Sequence, residues 1–269
     1  MNLSSQSIKY SNIIIIIFFL VLISIYSVPG EVNAETAVED IQAFQKATRN
    51  RQLGMDEYEE AVSSIVKAID SKWGTNYAGE LPKAIKDRAM GIGSDVNSQI
   101  IAKGLIHIAY MGLIDQLNTL GKSPDTPKKV LAYFECIRPV LKRRAKTHFN
   151  GKNVLEQIAD SALERMSKTG TMDLMTRRQF DDVIARAFAL SVLYEYGELV
   201  KKRDIDPGFC DIKRAEGSFY YRNLEPRIKK HNPRANEIIL NMINGSNETI
   251  DIGILEENLT AGLGIKLRP

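Results

Sequence analysis

The chain has 269 residues, 44% of them apolar, with 36 Lys/Arg against 33 Asp/Glu and a formal net charge of +3. So near-neutral a balance does not point to wholesale nucleic-acid binding. Two cysteines in a chain of this length also exclude a dense disulfide scaffold as the basis of the fold.

In chain order, Lys9 precedes the apolar run Ile13 to Tyr26, and "SVPGEVNA" supplies helix breakers and small residues after it. This pattern predicts a secretory signal peptide over residues 1–34, cleaved after Ala34. The run falls short of the roughly 20 residues a spanning helix needs. The expected location is therefore periplasmic or extracellular, with any membrane contact peripheral.

The remaining residues, 35–269, read as one all-helical domain, a bundle of about seven to nine helices, with 121–127 as the best place for a subdivision. Glu35 to Thr48 is a short amphipathic segment. Met55 to Trp73 spaces Tyr58, Val62, Ile65 and Ile69 as one helical face. A short turn is predicted around Leu81 to Met90, and Ser94 or Asp95 caps a helix ending near Leu120. Lys128 to Phe149 is amphipathic, and "NVLEQIADSALERMSK" is stopped by Gly170. Thr176 and Gln179 suggest a capping box for the long pattern that runs to Arg203. Asp206, Pro207 and Gly208 read as a loop, and an irregular region leads to a last helix at Asn236 to Ile243. The tail is glycine-rich, with "ETIDIGIL" as the single short strand-like stretch. Two helices, around Ile100 to Leu117 and Val183 to Tyr196, are apolar nearly all round and are predicted to sit inside the bundle.

The Lys128 to Phe149 helix carries the most informative pattern. Val130, Phe134, Ile137, Leu141 and Ala145 form its core stripe, with Pro139 opposite. Arg138, Lys142, Arg143 and Lys146 gather on the exposed side, and Cys136 lies at the border between the two. From Lys122 to Lys152 nine Lys/Arg stand against Asp125 and Glu135, a net of +7, whereas Glu35 to Glu60 has seven acids against three bases, a net of −4. A basic ridge of this kind is either a solvated face near a helix C-terminus or a docking surface for an acidic protein or polymer. The segment "SFYYRNLEPRIKK" adds Tyr220, Tyr221 and Arg222, residue types that interfaces favour, although half-buried packing also suits them.

Export with an even cysteine count favours a Cys136–Cys210 bridge, which would stabilise the fold by about 4 kcal/mol on the chain-entropy view; two buried thiols are the alternative. Candidate chemistry elsewhere is thin, and no metal or cofactor is called for. His107 and Met111 lie four apart on one buried helix, a spacing that packing explains, and no C-x-x-C-H accompanies them. His148 and His231 lie far from other ligand types. "DIDPGFCD" opens like a calcium loop but ends on Ala215 where a closing Glu belongs. No G-x-S-x-G is present. The sequons at Asn244, Asn247 and Asn258 matter only in a glycosylating host. The expectation is thus a binding or assembly protein, with a lysozyme-like glycan hydrolase using a Glu acid as the alternative.

Overall fold

The computed structural model describes residues 36–268, and the expected processing site after Ala34 lies outside them. Twelve α-helices occur among the described residues: α1 (Val38–Arg49), α2 (Met55–Ala61), α3 (Ser63–Trp73), α4 (Tyr77–Ala89), α5 (Ser94–Asn118), α6 (Thr126–His148), α7 (Val154–Thr169), α8 (Leu174–Lys202), α9 (Pro207–Arg222), α10 (Glu225–His231), α11 (Pro233–Asn244) and α12 (Ile252–Leu263). The described residues contain no strand. The all-α class is as expected; the helix count exceeds seven to nine because one helix begins on a cap from the preceding helix and others lie in stretches read as loop, irregular chain or tail.

Helix α4 shows how. Where a short turn was expected, thirteen residues are helical, because the Asp70 carboxylate accepts hydrogen bonds from the Tyr77 and Ala78 backbone N–H groups (2.9 and 2.7 Å) and so caps the helix from the end of α3. Helix α9 occupies the region read as loop and irregular chain. Its Asp206 side chain accepts from the Phe209 N–H at 2.9 Å, and Pro207 takes the first helical position, where its missing N–H costs nothing. The "ETIDIGIL" stretch is no strand: Asn247–Thr249 is a 3-10 turn and Asp251 caps α12 through the Ile254 N–H. The cap of α8 is Asp173, one turn before the expected box, bonded to both the N–H and the hydroxyl of Thr176. The Met55 to Trp73 pattern breaks at Val62 (φ −123°), yet Tyr58, Val62, Ile65 and Ile69 are all buried as their spacing requires.

Four long helices form a closed ring at the centre, with α5 against α6, α6 against α8, α8 against α9 and α9 against α5. Tyr110 of α5 meets Phe188 of α8 edge-on across the middle, ring centroids 5.2 Å apart. Cross-contacts fix the directions. The pairs Lys103–Glu216 and His107–Asn223 make α5 and α9 parallel. Phe134–Phe180 and Arg144–Glu195 do the same for α6 and α8. The Cys210 thiol, near the start of α9, reaches the Leu199 carbonyl near the end of α8, so those two run antiparallel. The N-termini of α5 and α9 and the C-termini of α6 and α8 therefore share one end of the ring.

Two close approaches depend on glycine. A Cβ on Gly217 of α9 would lie 2.5 Å from the Tyr196 ring of α8, and one on Gly112 of α5 would lie 2.5 Å from Tyr133 of α6. Glycine in a helix costs about 1 kcal/mol, and here that cost is offset by letting a buried tyrosine lie flat against the backbone. The outer helices cover the ring: α1 lies on α6, α4 on α5, α7 on α6 and α8, and α12 on α8. The stripe Val130, Phe134, Ile137, Leu141 and Ala145 is wholly buried, while Pro139 faces water, as the helical projection predicts.

Candidate functional site

At the end of the ring where those termini meet, each of the four helices contributes charge to a buried layer. Glu195 of α8 and Arg144 of α6 are each 1% exposed, Glu216 of α9 is 6% and Lys103 of α5 is 7%. Lys213 of α9 joins the two acids, its Nζ lying 2.8 Å from Glu195 Oε2 and 2.6 Å from Glu216 Oε2. The second oxygen of Glu216 takes Lys103 at 3.2 Å, and that of Glu195 takes Arg144 Nη2 at 3.5 Å. All four carboxylate oxygens are thus engaged, and three cations share two anions. Aromatic faces complete the surroundings: Lys103 lies 5.2 Å from the Tyr220 ring centre and Arg144 4.2 Å from that of Tyr194.

The two carboxyl groups lie within hydrogen-bonding reach of each other and titrate apart. Burial, then the negative charge of Glu216, raises Glu195 above the ordinary carboxylate range. Burial alone would raise Glu216 too, but Lys103 and Lys213 outweigh it and hold that acid low. Burial pulls the Arg144 guanidinium down. Such a pair can share a proton, but the depth of the carboxyl groups leaves no face on which a glycan could meet them. The alternative of a glycan hydrolase therefore draws no support from the one buried acid pair in the ring.

The sequence reading passed over this layer, although a signal for it was present. Lys103 lies inside "IIAKGLIHIAYMGLI" and Glu195 inside "ALSVLYEYGELV"; single charges in helices that are otherwise apolar all round imply partners in the core.

Of the expected docking residues, Lys142, Arg143 and Lys146 are exposed on α6 and carry no ion pair among the described residues. Arg138 does not join them. Its guanidinium bonds Glu135 and Asp160, each at 2.7 Å, and lies 4.8 Å from the Phe134 ring centre, so it fastens α6 to α7. Tyr220 and Tyr221 are each 2% exposed and belong to the core rather than to an interface. Tyr220 packs beside Phe188, and Tyr221 donates to Asn236 Oδ1 at 2.8 Å. The helical repeat of α9, hidden in a stretch read as irregular, turns both rings inward and leaves Arg222 outside. There Arg222 stacks on Phe219 and borders a shallow groove with Glu80, Lys83, Asn97 and Ile100. A second groove, between α7 and the head of α8, is lined by Gln157, Ile158, Ser161, Arg165, Thr176 and Gln179.

The cysteines are not joined. Cys136 is buried, not at a border, and its thiol donates to the Ala132 carbonyl one turn back on α6 at 3.6 Å, beside Thr48 of α1. Cys210 is buried between α9 and α8, donating to Leu199 O at 3.7 Å. The expected bridge fails because the two thiols face different neighbours, α1 in one case and α8 in the other. Burial pushes the Cys136 thiol up to about 12 and raises Cys210 as well, which removes the reactive thiolate. A thiol reagent is expected to leave the folded protein unlabelled and to label two thiols after denaturation without reductant. Labelling of neither in the denatured chain would restore the bridge.

The remaining candidates are structural. His107 Nδ1 pairs with Asn223 Oδ1 at 2.9 Å, and its ring meets Tyr77 edge-on at 5.6 Å; Met111 is buried one turn on. Asp206 of the calcium-like stretch is the α9 cap. Among the described residues no cluster of three or more His, Cys, Asp or Glu is placed to hold a metal ion. Comparison of the chain with known protein families, curated proteins and solved structures gave no match.

Proposed function

We propose that the protein is an extracytoplasmic binding or assembly subunit that docks an acidic partner, protein or polymer, through Lys142, Arg143 and Lys146 on α6. One observation carries this reading: the three cations fall on two successive turns of a helix whose other face is locked in the core, and none has a carboxylate partner among the described residues. Some exposed cations elsewhere do have partners, as in Lys83–Asp87, Lys168–Glu164 and Lys201–Glu198, while others, such as Lys67 and Lys86, stand singly among the described residues and are not gathered into a ridge. Unpaired charge on a rigid support steers association without reorganising on contact. The segment before residue 35, with Lys9 ahead of its apolar run, supports placement outside the cytoplasm.

The test is Lys142→Glu with Lys146→Glu, read on immobilised polyglutamate. Exposed charges contribute little to stability, so the melting temperature should hold within about 2 °C. Binding should weaken at least tenfold near 50 mM salt, and rising salt should release the wild-type protein as well. Equal retention of both proteins at low salt would reduce the ridge to a solvated helix face.

A further inference from the structure

We propose that Arg144 and His148, one turn apart on α6, form a binding site for a small oxyanion, a phosphate or a carboxylate, reached beside Tyr194. The Arg144 side chain is almost fully enclosed, yet only Nη2 has an acceptor, at the outer limit of a hydrogen bond. Its Nε and Nη1 have no partner, and neither has the buried Nε2 of His148. Buried donors are nearly always paired, and a guanidinium is the least easily left alone because it cannot shed its charge. Neither carboxylate of the layer has an oxygen to spare for it. The four oxygens of Glu195 and Glu216 are already distributed among Lys103, Arg144 and Lys213.

Charge and shape point the same way. Two buried cations and the partly buried Lys213 against two carboxylates leave an excess of at least one positive charge in the layer, and Arg268, itself paired with Glu256, lies near His148. One small anion would balance the layer and accept from the free edges of Arg144 at once, the pairing in which a planar guanidinium surpasses a lysine. Access runs beside Tyr194, whose ring lies against the guanidinium and is 37% exposed, so that a turn of its side chain uncovers Arg144. His148 supplies a pH signature. Burial, then Arg144 and Arg268, hold it below the usual histidine range; a bound anion would counter the two cations, so affinity should rise as pH falls from 7.5 to 6. The site does not depend on the docking role of Lys142 and Lys146.

The experiment is thermal unfolding of the full chain in inorganic phosphate, in acetate and in chloride at matched ionic strength. Phosphate or acetate should raise the melting temperature, on the order of 5 °C at roughly a hundredfold excess over its Kd, and chloride should not. A response to phosphate alone assigns a tetrahedral ligand, and a response to acetate alone a carboxylate. Arg144→Lys keeps the charge and removes the free edges, so it should weaken binding at least tenfold. His148→Gln should flatten the pH dependence while the protein stays folded. Lys142→Glu with Lys146→Glu should respond as wild type does. The proposal is overturned if neither anion exceeds chloride, or if the response survives Arg144→Lys and is lost in the ridge variant.

Discussion

Glu195→Ala is expected to lower stability by about 3 to 5 kcal/mol, measured by urea unfolding, the largest effect of any single substitution on the ring. Its carboxylate is 1% exposed and meets Arg144 on one oxygen and Lys213 on the other. Removing it leaves the buried Arg144 and the partly buried Lys213 without their shared carboxylate, with Glu216 alone to neutralise them and Lys103. The loss should exceed that of any exposed pair, such as Lys168–Glu164, where the partners stay hydrated and truncation costs little. The companion variant sharpens the assignment. Replacing Arg144, Glu195 and Lys213 together by Met leaves Lys103 paired with Glu216, so most of the stability should return despite two further substitutions. If the triple variant is no more stable than Glu195→Ala, lost packing and not stranded charge is the cause.

The second large effect is on acid stability. Burial, against a raising contribution from Asn223 and with a lowering one from Arg222, pulls His107 down to about 4 from an ordinary 6.5. A histidine whose folded value is depressed binds its proton only in the unfolded chain, so stability is present above the unfolded value and is lost as pH falls from about 6.5 towards 4. Each pH unit between the folded and unfolded values is worth about 1.36 kcal/mol, so the loss approaches about 3 kcal/mol at the lower end. His107→Gln retains a donor for Asn223 and cannot protonate, so its stability should change little over that window. Urea unfolding at pH 7, 5.5 and 4.5 decides; parallel curves for the two proteins would place the titration elsewhere. Depressed His148 adds to the same slope, and measuring His148→Gln alongside separates the two.

What the sequence revealed and what it concealed divide along a physical line. The burial of Val130, Phe134, Ile137, Leu141 and Ala145, the helix stop at Gly170 and the central place of α5 and α8 follow from spacing and capping within one segment, and they were legible. Helix α4 was not, because its cap, Asp70, belongs to the preceding helix. Helix α9 was obscured by Pro207, Gly208 and Gly217, residues that usually interrupt helices; here Pro207 starts the helix and Gly217 accommodates the Tyr196 ring. With α9 unread, Tyr220 and Tyr221 looked available for contact when they are core. The candidate site suffered most, since a layer drawn from four helices exists only once the ring closes. Cys136 shows the converse: a local projection placed it at a border, and α1, which the projection did not include, covers it.

The ring also dictates when the protein can finish folding. His107 meets Asn223 across 116 positions of chain, and Tyr77 meets Arg222 across 145. A ribosome adding about 5 to 20 residues per second needs roughly 6 to 23 s to travel the shorter of those intervals. Throughout that time Lys103 has no Glu216, and the inner faces of α5 and α6 have no α9 to close upon. Helices can form early in such a chain, but the cooperative step waits for its last third, so a nascent chain truncated before α9 should expose apolar surface and recruit chaperones, while one extended past residue 223 can begin to shield it.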